Sequence, residues 1–159
     1  WLDQETTPEK KIKLLELLDD VKDPVRKMDL LITAKNFVCP SLFMANEIRK
    51  KGGKAWVYQF NRVRDDKLAK KYGAFHGAEL PYVFDTHDEW LPTNEKDREL
   101  TREIQSYWLS FAKTGNPNNR DAVTWPEYDS YNDSTLVLDD EIYQRNHESS
   151  EICKIMDLF

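Results

Sequence analysis

Gly52-Gly53-Lys54-Ala55-Trp56-Val57-Tyr58-Gln59-Phe60 is the stretch whose reading decides the fold. Trp56, Val57, Tyr58 and Phe60 are aromatic or β-branched and residues 55–60 are almost continuously apolar, the pattern of a strand covered on both faces rather than one alternating between core and water. The glycine pair stands directly before them. Further upstream, Pro40 opens a helical stretch to residue 51 whose last turn carries Arg49, Lys50 and Lys51, cations that complement the carbonyl end of a helix. Gly52-Gly53 stops that helix. A helix stop followed at once by a buried strand is the αβ half of a βαβ unit, so the expected class is α/β.

Outward from this centre the pattern continues. Thr7 is a good N-cap and Pro8 suits the first helical position, with Ile12, Leu15 and Leu18 following at helical spacing to residue 21. After Asp23-Pro24, Val25, Met28, Leu31 and Ile32 predict a second helix reaching residue 36. On the other side of the strand, residues 61–72 read as a polar loop. Leu100, Ile104, Tyr107 and Phe111 mark a long amphipathic helix over 97–114, stopped by Gly115 and Pro117. Residues 116–131 are turn-rich. Residues 136–138 and 141–145 are two short strand candidates around Asp139-Asp140, and 152–159 a short terminal helix.

Composition narrows the function. The chain has 159 residues and a net charge of -6, with acids and bases interspersed. No basic stripe is available to neutralise phosphates, which excludes nucleic acid as a partner. No run of 18 apolar residues exists, so no membrane span is expected. The start Trp1-Leu2-Asp3-Gln4 has no leader pattern, so a signal for export, if there is one, lies upstream. Only five glycines are present, although α/β enzymes use them where backbone approaches a ligand. The turns carrying such chemistry are therefore expected elsewhere.

Of three histidines, His76 has the setting of a functional group. It lies in a loop reached from the buried strand, between Gly73 and Gly77, which let the backbone bend tightly. His87, in Asp85-Thr86-His87-Asp88, and His147, between Asn146 and Glu148, read as surface residues. No His-Glu-x-x-His or similar spacing is present and the two cysteines are 114 positions apart, so neither a metal nor another cofactor is expected. A histidine base needs a nucleophile. Acyl transfer by serine requires a Gly-x-Ser-x-Gly elbow, and none of Ser41, Ser106, Ser110, Ser130, Ser134, Ser149 and Ser150 stands in one. Ser106 and Ser110 fall within the long helix, where a hydroxyl is solvated or bonded to the preceding turn.

Gly73-Ala74-Phe75-His76-Gly77-Ala78-Glu79-Leu80-Pro81-Tyr82-Val83-Phe84 closely resembles the histidine loop of the type-B carboxylesterase/cholinesterase family. Other stretches resemble that family in the same order. They are Phe37-Val38-Cys39-Pro40, the strand at 55–60, Tyr107-Trp108-Leu109-Ser110-Phe111-Ala112-Lys113-Thr114-Gly115-Asn116-Pro117-Asn118, and Trp125-Pro126-Glu127-Tyr128. The resemblance implies the C-terminal part of an α/β-hydrolase fold: a few strands at one side of the sheet, packed by several helices, with all 159 residues belonging to one carboxylesterase domain. It implies a serine ester hydrolase with a Ser–His–Glu triad in which His76 is the general base. Chain order then places the serine and the glutamate upstream of Trp1, so this chain alone is expected to be inactive. Its partners would be a small ester substrate and the upstream part of the same protein.

For Glu79 the resemblance implies support of the active site from behind, with Gly77 beside it; the residues alone allow equally a turn carboxylate satisfied locally. Cys39 and Cys153 resemble a disulfide of extracellular family members, which would place the protein outside the cytosol, secreted or periplasmic; the sequence alone allows two buried thiols. Two rival readings stay open at this point: a non-catalytic cholinesterase-like adhesion protein, and an excised interaction module.

Overall fold

The computed structural model describes residues 1–87, 89, 92–120, 122–146 and 150–158. His147 and the terminal Phe159 lie outside the described residues. In chain order the helices are α1 (Leu2–Glu5), α2 (Pro8–Leu17), α3 (Pro24–Thr33), α4 (Cys39–Lys50), α5 (Lys67–Tyr72), α6 (Leu80–Phe84), α7 (Glu95–Thr114) and α8 (Glu151–Ile155), and the strands are β1 (Tyr58–Phe60), β2 (Thr135–Leu138) and β3 (Tyr143–Arg145). The chain forms two compact units. The first comprises Trp1–Val57, Glu127–Ser134 and Asn146–Phe159, the second Tyr58–Pro126 and Thr135–Arg145.

In the first unit the caps are those the sequence announces. Thr7 Oγ1 accepts from the Lys10 N–H at 3.3 Å, and Asp23 Oδ1 from the Val25 N–H at 2.9 Å, each followed by proline at the first helical position. α2 ends at Leu17 rather than at residue 21. Asp19 and Asp20 follow, and their charges oppose the carbonyl end of a helix.

Pro40 does not start a separate helix. The chain is helical without interruption over Pro24–Lys50, passing through a wider π-helical turn at Ala34–Val38. A proline ring removes one donor and clashes with the carbonyl four residues back, here that of Asn36. Asn36 lies inside the widened turn, which absorbs both defects. By length and apolar content alone this helix passes for a membrane span. Of its residues, Leu31, Ala34, Cys39, Leu42 and Ala45 are buried in the cores of its own unit. One core gathers Ala34, Cys39, Leu42, Ala45, Ala55, Tyr128 and Cys153. Within it Cys39 and Cys153 form a disulfide, Cα atoms 5.5 Å apart. A second core holds Leu14, Leu18 and Leu31.

The second unit contains the sheet, ordered β1-β2-β3. β1 runs parallel to β2, with Tyr58 opposite Leu136 and Phe60 opposite Leu138; β3 returns antiparallel, with Tyr143 opposite Val137. β2 is buried at every residue, but β1 is not. Tyr58 and Gln59, which point to opposite faces, are both exposed, and the ladder begins only at Tyr58, so the strand expected over 55–60 is three residues long and is not covered on both faces. Gln59 keeps its polar end occupied through Asn61 and Arg145.

The expected loop at 61–72 contains α5. Asp66 Oδ1 accepts from the Leu68 and Ala69 N–H groups at 2.8 and 2.9 Å, an N-cap that opens a helix in a stretch with little apolar periodicity. α7 starts two residues earlier than the pattern indicates, at a capping box in which Asn94 and Asp97 each accept the other's N–H. It ends at Gly115, φ 73°. Ser110 reaches forward rather than back, donating to Asn116 O at 2.9 Å, and Ser106 Oγ accepts from Asn119.

Candidate functional site

The turn carrying His76 owes its shape to glycine at both ends. α5 closes on Gly73, with φ 65° and ψ -157°, a conformation that side chains avoid. Ala78 N–H donates to Phe75 O at 2.9 Å, which makes His76 and Gly77 the two central residues of a β-turn. Gly77 has φ 87°, the value a type II turn demands at its third position. Leu80 N–H then bonds Gly77 O at 3.1 Å, and Tyr82 and Val83 N–H bond Glu79 O at 2.9 and 3.0 Å, so the turn runs directly into α6. His76 stands exposed at its corner. The same short segment exposes Tyr72, Phe75, Leu80 and Phe84, with the Tyr72 and Phe75 rings edge-to-face at 6.5 Å.

Glu79 is half-buried at the N-terminal boundary of α6, where a carboxylate complements the free N–H groups. Burial first, and then the charge of Glu79, push the Tyr58 phenol above its ordinary value. His76, Gly77 and Glu79 thus belong to one turn, whereas Cys39 and Cys153 are bonded in the other unit.

Behind α6 lies a buried polar network that sequence reading missed. Arg62 and Asp97 have side chains 2% and 1% exposed, and Arg62 Nε donates to Asp97 Oδ1 at 2.8 Å. The Arg62 Nη1 donates to Asp140 Oδ1 at 2.6 Å and Nη2 to Asp65 Oδ2 at 3.3 Å. Tyr82 of α6 donates its hydroxyl proton to Asp97 Oδ1 at 2.8 Å and accepts from Arg64 Nε at 3.2 Å. His87, expected at the surface, has a side chain 1% exposed. Its Nδ1 lies 3.2 Å from Arg64 Nη2 and its Nε2 2.7 Å from Thr101 Oγ1, with its ring edge-on to Tyr82. A charged sequence neighbourhood put His87 in water; the fold puts that charge to use around it.

Electrostatics follow from this packing. Burial works against the charge on Arg62, but Asp97, Asp140 and Asp65 outweigh it and hold the guanidinium protonated. Burial also opposes the Asp97 carboxylate, yet Arg62, the Asn94 N–H and the Tyr82 hydroxyl bring it below the ordinary carboxylate value. Burial, helped by Asp97 and opposed by Arg64, pushes the Tyr82 phenol up to about 12. His87 is lowered by burial, then by Arg64 and Arg98, against the smaller opposing effect of Asp85 and Asp97.

The second unit holds a parallel strand pair and, beyond β1, an exposed histidine on a glycine turn, and solved α/β-hydrolase esterases share this fold. A solved thermophilic PNB esterase aligns with TM-score 0.69 over 92% of this chain and 30% of its own, at 31% identity. The carboxylesterase of Geobacillus stearothermophilus shares the fold, with TM-score 0.77 over 98% of this chain and 33% of its own at 21% identity. Residues 5–156 match the carboxylesterase family, and the chain belongs to that family. The para-nitrobenzyl esterase of Bacillus subtilis is 39% identical over 60% of this chain and 20% of its own length. An acetylcholinesterase of Bungarus fasciatus is 29% identical over 80% of this chain and 20% of its own. The chain spans about a fifth of the length of these curated relatives.

Proposed function

We propose that this chain is the C-terminal part of a single carboxylesterase domain, in which His76 is the general base of a Ser–His–Glu triad completed by upstream residues. The observation that carries this is the exposed His76 at the corner of a turn whose Gly73 and Gly77 both hold positive φ, in a chain of the carboxylesterase family. The esterase names of the relatives support the substrate class, a small carboxylic ester.

In this reading His76 takes the proton of the serine hydroxyl as its oxygen bonds to the ester carbonyl carbon. It then gives that proton to the alkoxide as the ester C–O bond breaks, leaving an acyl-enzyme and a free alcohol. Water repeats the sequence: His76 removes a proton from it, its oxygen bonds to the acyl carbon, and the serine leaves with the proton. The acid product and the free enzyme result. Gly77 supplies the backbone conformation that turns His76 outward, and Glu79 steadies the start of α6 without touching substrate. Without the serine and its acid partner, the 159 residues alone carry no turnover. The Cys39–Cys153 disulfide supports an oxidising compartment, secreted or periplasmic.

The test uses the longer protein with this chain in place and follows p-nitrophenyl butyrate hydrolysis. His76→Ala is expected to lower kcat by about 10³-fold or more, as loss of a triad member does. Turnover by the isolated 159-residue chain would refute the division of the site.

A further inference from the structure

Behind the His76 turn, the side chains of Thr101, His87, Arg64 and Tyr82 form a ring closed through Asp97, by its carboxylate on one side and its main-chain carbonyl on the other, and the donors and acceptors around it fix the state of His87. Thr101 Oγ1 lies 2.7 Å from the Asp97 carbonyl oxygen, which only accepts, so the threonine donates there. Its 2.7 Å contact with His87 Nε2 then requires that Nε2 carry a hydrogen. On the other side of the ring, Arg64 Nη2 only donates, so His87 Nδ1, 3.2 Å away, must accept. Both neighbours select the same form: neutral imidazole protonated on Nε2. Arg64 donates in turn to the Tyr82 hydroxyl, and Tyr82 donates to Asp97, which closes the circuit.

The ring holds α6 at two points. Tyr82 anchors its middle. His87 anchors the chain just beyond its end, where Asp85 takes φ 52° and the Thr86 N–H bonds Pro81 O at 3.0 Å. Hydrogen bonds from Leu80, Tyr82 and Val83 tie α6 back to Gly77 and Glu79, so what fixes α6 fixes the turn.

We propose that Tyr82 and His87 are positioning residues for the His76 turn, through a ring that closes only while His87 is neutral. A proton on Nδ1 would face the Arg64 guanidinium donor to donor and remove an acceptor from a buried cation. The charged groups facing His87 cannot absorb that change. Arg64, from the segment after β1, and Arg98, from α7, repel the new charge. Asp85, at the end of α6, is 4.0 Å from Nε2 and already engaged by Arg98 at 3.2 Å. Asp97 is committed to Arg62 and Tyr82. Acid therefore opens the ring at His87 and loosens α6 from α7. Its consequence for catalysis rests on the reading of His76 as the base; the ring itself does not.

Two measurements separate those levels. In the ¹⁵N-labelled longer protein carrying this chain, at pH 7.5, long-range imidazole spectra should show His87 in the Nε2–H form. On acidification the amides of residues 75–80 should show an inflection that coincides with His87. His87→Gln, whose amide supplies both a donor for Thr101 and an acceptor for Arg64, should lose that inflection. Tyr82→Phe breaks the link to Asp97 and should uncouple the turn from His87 even where the glutamine variant folds poorly. An Nδ1–H tautomer, or turn amides with no inflection coinciding with His87, would overturn the proposal. In the complete esterase, the acid limb of kcat/KM should be steeper than one proton and fall to a one-proton slope in His87→Gln; an unchanged slope refutes the catalytic consequence. Failure of the base assignment would appear separately, as undiminished hydrolysis by His76→Ala with the His87-linked inflection intact.

Discussion

Arg62→Met removes a cation from the least solvated charged site among the described residues of the second unit. The Arg62 side chain is 2% exposed and Asp97 1%, so water cannot replace the lost partner of Asp97. Asp65 and Asp140, at 62% and 49% exposure, are re-solvated and lose little. Asp97 would keep the Asn94 N–H and the Tyr82 hydroxyl but not its counter-charge. Removing one member of such a pair costs about 3–5 kcal/mol. For a chain of this size that is a fall in Tm of roughly 6–20 °C. Urea unfolding followed by circular dichroism reads it as a lower midpoint at unchanged slope. Arg26→Met, which removes the exposed Arg26–Asp29 pair, is the control and should cost about 0.5 kcal/mol or less. The double variant Arg62→Met/Asp97→Asn should be less damaged than the two single effects combined, by about 1.5 kcal/mol or more. A cost below about 1 kcal/mol for Arg62→Met, or strict additivity, would refute the claim that the pair is buried and coupled.

Replacing Cys39 and Cys153 together by serine should cost about 5 kcal/mol, because the bond closes a loop of 114 positions in the unfolded chain; the check is the urea midpoint against wild type, and a loss under about 1 kcal/mol contradicts it. Gly77→Ala meets no atom closer than Leu80 Cδ1 at 3.7 Å, so its cost, about 1–2 kcal/mol, comes from φ 87° alone and should be matched by Gly77→Ser in the same assay. Stability should fall in two acid steps. The folded chain holds His87 below its ordinary 6.5, so the unfolded chain takes up the proton first and stability declines as pH drops through that value. Asp97, held below 3.8, adds a second decline as pH falls through that range. His87→Gln should erase the first step only, read from unfolding free energies between pH 8 and 3.

Local chemistry was legible in the sequence wherever the signal and its effect lie within one turn of chain. Thr7-Pro8, Asp23-Pro24 and Gly115 mark helix ends that the structure keeps, and Gly73 and Gly77 mark a bend that does take positive φ. Pro40 misled because a proline reads as a boundary, whereas the π-helical turn at Ala34–Val38 lets the helix continue past it. Arg62, Arg64, Asp97 and His87 were invisible for a different reason. Charged residues default to the surface, and what buries these is pairing across 35 positions for Arg62–Asp97 and 23 for Arg64–His87. One cue was available: Asn94 and Asp97 form a capping box in which the carboxylate also faces inward.

Chemical rescue addresses the central claim most directly, that His76 is the base of an ester hydrolase. In the longer protein carrying this chain, His76→Gly opens a gap of imidazole size at the corner of the turn. With p-nitrophenyl butyrate, this variant should be depressed by about 10³-fold or more and should regain activity with added imidazole, saturably, as the free base enters the gap. Hydrolysis at the unsubstituted rate without imidazole would contradict the account.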